Sequence, residues 1–416
     1  MKKPVKKRLI IIEAIMSPST PSAKSVCKGL PLVLASGWEV EIWSSQLTLD
    51  DPRLIWKQVP TLSRIGNLQF WFFSAWVTCR FFWRRLRGTL PRSTLVQSVG
   101  PYLLWANLPA IHFVSVEYLK QMKSFRGMLK PSLAHRLTHL AVSGLERIWW
   151  RIDIGRRAWL VVSERLGADL RQHVKSEDLF SVLPNSYDST RFNPGLRREW
   201  RPAARERLGI GSGEAVFAFV CLGSFERKGL PLALRACALL NQRGTACRLL
   251  VIGGPDTHPP DLSKLAAGCG VTDLSFVIAH GRHPQVEQLV AAADALLFPS
   301  YSEAFSLVEI EAAALGLRLY LTPHYGSEMI LRDGENGRLL PWEPVGIADI
   351  LEADIQSGDL AKGCTTAHRA VTDEEFGPIY LGELERALAW ITGTPQAGSD
   401  AAKASSSPST SATILP

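Results

Sequence analysis

Two glutamates eight residues apart, Glu303 and Glu311, stand in the run FPSYSEAFSLVEIEAAALG at 298–316. The run predicts a strand ending at Pro299, a loop carrying Glu303 and a helix beginning near Phe305. Glu311 then lies roughly two turns into that helix, on the side of the loop glutamate. Carboxylates placed this way at strand ends can accept hydrogen bonds from the vicinal hydroxyls that sugars and riboses present. The helix N-terminus between them offers free N–H groups and a positive dipole end to a phosphate. Glu309, on the same helix, reads as an ordinary solvated residue. A second stretch, GSFERKGL at 223–230, also falls at a strand-to-helix junction and brings Arg227 and Lys228 beside Gly229. Fixed cations at such an edge can hold a diphosphate and stabilise it as it leaves.

The elements that must position these groups are short apolar strands alternating with helices, the pattern of a parallel sheet covered on both faces. In the first half, strands are expected at 8–14, 39–43, 95–99, 111–116 and 159–163, with a helix near 24–36. In the second half, strands are expected at 215–222, 248–252, 274–278, 295–298 and 318–321, with helices at 230–241, 285–293 and 306–315. Doubly wound units of this kind bind ligands at the carboxyl ends of their strands. The turn-rich LPNSYDSTRFNP at 183–194 predicts a hinge between an N-terminal domain, 1–184, and a C-terminal domain, 185–375. An amphipathic helix over 376–392 is expected to cross back to the first domain. The Ser, Thr, Ala and Pro-rich tail at 393–416 reads as disordered.

A chain of 416 residues is long enough for two domains, each with its own core. With 46% hydrophobic and 21% charged residues it reads as a folded protein rather than a disordered one. The net charge of +8 favours anionic partners such as phosphorylated molecules or an anionic membrane face. No nucleic-acid recognition motif accompanies that charge, so no nucleic-acid partner is expected. The 7 cysteines include no C-x-x-C pair, which argues against a zinc site or a disulfide framework and for a reducing, cytoplasmic setting. The basic start MKKPVKKRLIIIEAIM reads as a lead-in to a buried strand, because Glu13 interrupts its apolar run. The segment GNLQFWFFSAWVTCRFFWRRLRG at 66–88 is too short in apolar length to span a bilayer. It reads either as a core helix with a basic end or, through Phe70–Arg87, as peripheral contact with the inner face of a membrane.

The four stretches LPNSYDSTRFNP, GSFERKG, FPSYSEAFSLVEIEAAALG and SEMILRDGENGRLLP (327–341), in this order, resemble the retaining GT-B glycosyltransferases of family 4. The likeness is close over 183–341 and loose before it. It implies an α/β fold of GT-B type, with two Rossmann-like doubly wound domains facing a central cleft. It also implies transfer of a sugar from a nucleoside-diphosphate sugar to a glycan or lipid-linked acceptor, as in cell-envelope polysaccharide or glycolipid synthesis. By position, Glu303 would contact the donor sugar and Glu311 the ribose. Arg227 and Lys228 would hold the diphosphate with Gly223, Ser224 and the N–H groups of Phe305, Ser306 and Leu307. Gly281 and Arg282 would sit near the base. No cofactor and no metal are implied, since the cations and the helix end take a metal's place. His112, in AIHFVSVEY, would be the acceptor-side histidine, although its setting reads equally as a packed strand end; Glu117 is a weaker acceptor-side candidate. Ala304, Ser306 and Ser224 stand where the family usually has glycine, glycine and arginine, and the loop SPSTPSAKS (17–25) lacks the family's paired glycines. A non-catalytic nucleotide-sugar-binding subunit is the alternative these departures leave open.

Overall fold

Apolar runs such as RLIII and AVFAFVC are one strand long and have no polar face, so they form stable strands only where both sides of the sheet are covered. Each is an inner strand of a parallel sheet in the computed structural model, which describes residues 7–61, 66–91, 93–125, 133–254, 256–363 and 370–394. The first sheet contains β1 (Arg8–Ile12), β2 (Glu39–Ser44), β3 (Ile55–Gln58), β4 (Thr94–Val99), β5 (Leu108–Ile111), β6 (Ala158–Val161) and β7 (Leu179–Val182). They pair in parallel in the order β3-β2-β1-β4-β5-β6-β7. The second sheet contains β8 (Ala215–Cys221), β9 (Cys247–Gly253), β10 (Val277–His280), β11 (Ala295–Phe298), β12 (Arg318–Leu321) and β13 (Gly337–Leu339), in the order β10-β9-β8-β11-β12-β13. Both sheets start in the middle, wind to one edge and then cross to the other side. This leaves a crevice at the strand ends where the order reverses.

Two strand expectations shift. The strand expected at 111–116 is Leu108–Ile111, and Ser115 already begins helix α3 (Ser115–Ser124). The buried Glu146 takes that segment into the helix by accepting the N–H groups of Ser115 at 2.8 Å and Val116 at 2.9 Å. The strand expected at 274–278 is Val277–His280. The Asp273 carboxylate accepts the Ser275 N–H at 2.8 Å, a local turn that uses up the preceding residues.

The chain passes between the sheets through Ser186–Tyr187 and returns through Val371–Thr372, and these two crossings pair side by side. Asn185 and Ser186 anchor the first crossing. Asn185 donates to the Phe305 carbonyl at 3.2 Å, and the Ser186 N–H donates to the Ser25 hydroxyl of α1 (Lys24–Ala35) at 2.9 Å. After the second crossing the last helix, Asp373–Thr392, opens with a capping box formed by Thr372 and Glu375. It packs on the N-terminal domain, where Tyr380 donates to Gln97 at 2.6 Å and Trp390 to the Arg157 carbonyl at 3.0 Å. The expected disordered tail lies outside the described residues from 395 onward.

The aromatic segment forms α2 (Gly66–Leu86). Phe73, Val77 and Phe81, four residues apart, are buried against Trp43 and Val96. Trp71, Phe82, Trp83 and Leu86 are exposed, Trp83 to 57%. Arg84 turns inward to the buried Glu41, with Nη1 2.5 Å from Oε1, while Arg80 lies over the Trp76 ring at 5.0 Å. The core-helix expectation thus describes one face only. No described helix is long and apolar enough to cross a membrane.

Glu146 is the anchor of α3, whose last turn leads to Phe125 against Tyr301 and Trp342 of the second domain. Glu146→Ala strips two buried N–H groups of their acceptor. It is expected to cost about 2 kcal/mol or more, read as a lower urea midpoint at unchanged slope.

Candidate active site

The loop after β8 and the loop after β11 meet backbone to backbone. Gly229 takes φ +84 at the start of α4 (Leu230–Gln242), and a Cβ there would lie 1.8 Å from the Pro299 carbonyl oxygen. No side chain fits in that contact, and the φ value is itself one that glycine adopts most readily. The Tyr301 N–H donates to the Arg227 carbonyl at 3.0 Å, stitching the loops together. Ser224, at φ +57, is the one non-glycine described residue with positive φ; its carbonyl accepts the Lys228 N–H at 3.0 Å. Gly223 stays close to β8, with its N–H 3.3 Å from Cys221 Sγ.

This contact sets the charges. Glu303 is buried behind the loop, and its Oε1 accepts from Lys228 Nζ at 2.5 Å and from the Ser300 hydroxyl at 2.6 Å. Arg227 Nη1 lies 3.8 Å from the same oxygen and donates to the Ser302 carbonyl at 2.7 Å. Burial opposes ionisation of Glu303, but the charges of Lys228, Arg227 and His324 overcome it and hold the carboxyl below its ordinary range. The Thr322 hydroxyl, after β12, donates to the Ser300 carbonyl at 2.6 Å and fixes the loop from below.

Helix α5 (Leu307–Ala314) starts beside this cluster with Ser306 as its N-cap. No side chain caps it, so its first N–H groups are left for another acceptor. Phe305 is buried, and Gly326, at φ +89, comes so close that a Cβ there would lie 2.9 Å from its ring. Glu311 lies further along α5 and meets Lys24 Nζ of the N-terminal domain at 3.0 Å. Burial raises the Glu311 carboxyl above its usual range despite the opposing pull of Lys24 and Arg191. A lysine at the first position of a helix faces the positive dipole end, so Lys24 is held there against its own helix by a carboxylate across the cleft.

Glu303, Arg227 and Lys228 are thus joined directly, while Glu311 is held separately by Lys24. Gly281 and Arg282 follow β10, the edge strand of the second sheet; the Arg282 N–H donates to the Asp256 carbonyl at 2.7 Å and its side chain is exposed. His112 follows β5 and lines a small crevice with Ser25 and Asn185. Burial lowers it to about 4, so it is a neutral imidazole near pH 7. Glu117 is bound to Lys120 at 2.6 Å.

Glu309 corrects the sequence reading. It is 0% exposed, and its Oε1 lies 3.0 Å from Nε2 of His324, also 0% exposed on its side chain. Helix α5 is covered on more than one side: Glu309, Ile310, Ala312, Ala313 and Ala314 are all buried. The available signal was composition, since in LVEIEAAA the only charged residues are Glu309 and Glu311, which leaves no solvated face for either. Lys24, Ser300, Asn185 and His324 were also missed. Nothing in their local sequence ties them to residues up to 287 positions away.

Residues 216–355 match the family model for glycosyl transferases group 1. Over 203 residues the chain is 32% identical to a D-inositol 3-phosphate glycosyltransferase of Nocardia farcinica, a match covering 45% of this chain and 44% of that protein. A protein of the same description from Mycobacterium bovis is 36% identical over 170 residues, covering 40% of this chain and 33% of its own. The chain therefore spans less than half the length of these relatives. The crystal structure of WaaG, a glycosyltransferase involved in lipopolysaccharide biosynthesis, superposes with a TM-score of 0.63 at 20% identity, over 92% of this chain and 100% of that one. Sucrose-phosphate synthase from Thermosynechococcus elongatus does so with 0.63 at 20%, over 93% and 98%. Anabaena HepE in complex with UDP-glucose does so with 0.58 at 15%, over 93% and 98%. The fold is GT-B, and the match to the group 1 glycosyl transferases lies within its second domain.

Gly229→Ala forces the two loops apart. It is expected to lower stability by about 1–3 kcal/mol and the urea midpoint with it. Gly213→Ala, where a Cβ meets nothing within 4 Å, is the control and should leave both unchanged.

Proposed function

We propose that this protein transfers a sugar from a nucleoside-diphosphate sugar to an acceptor hydroxyl, with retention at the anomeric carbon. The observation that carries the reading is the cluster of Glu303, Lys228 and Arg227 beside the uncapped start of α5. The group 1 domain that spans it supports the same activity.

Bond cleavage builds positive charge on the sugar and negative charge on the departing diphosphate. Lys228, Arg227 and the first N–H groups of α5 oppose the second charge without a metal. Lys228 has further donors to offer a phosphate while Glu303 keeps one of them. Glu303, ionised and aimed by Lys228 and Ser300, accepts hydroxyls of the transferred sugar. Glu311 accepts the ribose hydroxyls, and the donor then shares that carboxylate with Lys24. Gly281 and Arg282 face the base. His112, neutral at the opposite strand ends, meets the sugar from the acceptor side. Attack from the leaving-group face, with the departing phosphate taking the acceptor proton, gives retention without a covalent intermediate. Closing the two domains excludes water and suppresses hydrolysis.

The acceptor is a glycan or lipid-linked sugar of the cell envelope. Supporting this is the outer face of α2, where Trp71 and Phe82 are exposed and Trp83 lies beside Arg80 and Arg87, a pairing suited to peripheral contact with an anionic membrane surface. The setting is cytoplasmic in this reading.

A thermal-shift screen of nucleoside diphosphates and their sugars, followed by transfer and donor-hydrolysis assays, tests the reading. Donor binding with no turnover at all would favour a non-catalytic subunit. Glu303→Gln should cut kcat by about 100-fold or more, and undiminished turnover would remove its role. Glu311→Gln should instead raise the donor KM by about 10-fold with kcat nearly unchanged, since a ribose contact is present before and during the reaction.

A further inference from the structure

A charged pair with no access to water needs a physical reason, because burying two ions costs several kcal/mol unless their setting returns it. Glu309 and His324 are such a pair, at 3.0 Å and without side-chain exposure. Glu309 sits in the first turn of α5, where the helix end favours a negative charge. His324 lies in the loop after β12; its carbonyl accepts the Ser327 hydroxyl at 2.7 Å and its Nδ1 lies 3.2 Å from the Tyr325 carbonyl. A ring nitrogen facing a carbonyl carries a proton, and the Glu309 carboxylate, close to the other nitrogen but not aligned with it as a hydrogen-bond acceptor, favours a second proton by its charge. Two residues before His324, the Thr322 hydroxyl donates to the Ser300 carbonyl at 2.6 Å, and the Ser300 hydroxyl donates to Glu303 at 2.6 Å. The loop that carries the imidazole therefore packs on the loop that carries Glu303, and the imidazole's charge acts on the carboxylate that Lys228 holds.

We propose that the Glu309–His324 pair is a positioning device for Glu303: Glu309 keeps His324 an imidazolium, and this buried cation keeps Glu303 ionised and in place when Lys228 and Arg227 turn to a phosphate. The inference rests on the role given above to Glu303. Glu309 from α5 lies 3.0 Å from His324, while Glu303 from the loop after β11 and Lys228 from the loop after β8, in contact with each other, act on the pair through their charge. Burial opposes the charge on His324, but Glu309 and Glu303 outweigh it and raise its titration above the ordinary range. Burial also raises Glu309 against the pull of His324, so the proton lies in a pair that releases it reluctantly. Glu303 must be anionic to accept sugar hydroxyls with both oxygens. Anything that removes the cation behind it lets the carboxyl protonate at higher pH.

The test reads the two titrations directly in the full chain. Imidazole 15N signals of His324, assigned by their loss in His324→Gln, should remain those of an imidazolium well above pH 6.5. Carboxyl 13C signals of Glu303, assigned by their loss in Glu303→Gln, should titrate below the ordinary glutamate range in the unaltered protein. In His324→Gln the Glu303 titration should rise by about one pH unit. In Glu309→Gln, His324 should become neutral and the Glu303 titration should rise in the same direction. The acid limb of UDP-glucose turnover or hydrolysis should move up with it, a change that a purely structural pair would not produce. A neutral His324 at pH 7 in the unaltered chain, or a Glu303 titration that ignores His324→Gln, overturns the proposal. Should both titrations behave as stated while Glu303→Gln keeps full turnover, the coupling stands and the catalytic role of Glu303 falls instead.

Discussion

The backbone contact between Gly229 and Pro299 is the constraint on which the rest of the site depends. Arg227 and Lys228 come from the loop after β8, and Glu303 comes from the loop after β11. These strands are neighbours across the point where the sheet order reverses, so their loops leave the sheet side by side. A side chain at position 229 would hold the loops apart, and the lysine and glutamate would then face water separately. With glycine there, a cation pair and a carboxylate share one partly desolvated volume in which their mutual attraction is stronger than on the open surface.

That concentration of charge needs support from below. The Thr322 hydroxyl fixes the Ser300 carbonyl, Ser300 fixes Glu303, and the buried Glu309–His324 pair lies on the same side. They come from two segments, the one after β11 and the one after β12, whose strands are neighbours in the second sheet. The first domain reaches the site through the first turn of α1, where Lys24 meets Glu311 and Ser25 meets the hinge at Ser186. Tyr325, next to His324, donates to Asp169 of the first domain at 2.6 Å. The cleft is therefore bridged both by these polar contacts and by the aromatic packing of Phe125 on Tyr301 and Trp342.

The outer face of α2 stands apart from this chemistry. Its inner residues, Phe73, Val77 and Phe81, belong to the packing under β1 and β2, and Arg84 is committed to Glu41. What remains outside is a row of aromatic side chains with Arg80 stacked on Trp76. Arginine over an aromatic ring keeps its charge while covering apolar surface.

Much of the second domain could be read from the chain alone, because strands such as AVFAFVC and ALLF are buried on both faces and their apolar runs announce it. The positions of Glu303 and of the basic pair at 227 and 228 were legible as well, since each stands at a strand-to-helix junction, and that of Glu311 was legible from its place along the following helix. Strand limits were less legible where a side chain elsewhere decided them, as Glu146 does for Ser115 and Val116. Local sequence carries propensity and periodicity; it does not record which distant groups will share a buried volume. That is why the partners of the site, Lys24 on Glu311 and His324 on Glu309, appear only in the tertiary structure. It is also why Glu309, one residue type among several glutamates in the chain, turns from an expected surface charge into a buried one: its environment is set by helix packing on both sides, and no spacing within α5 encodes that.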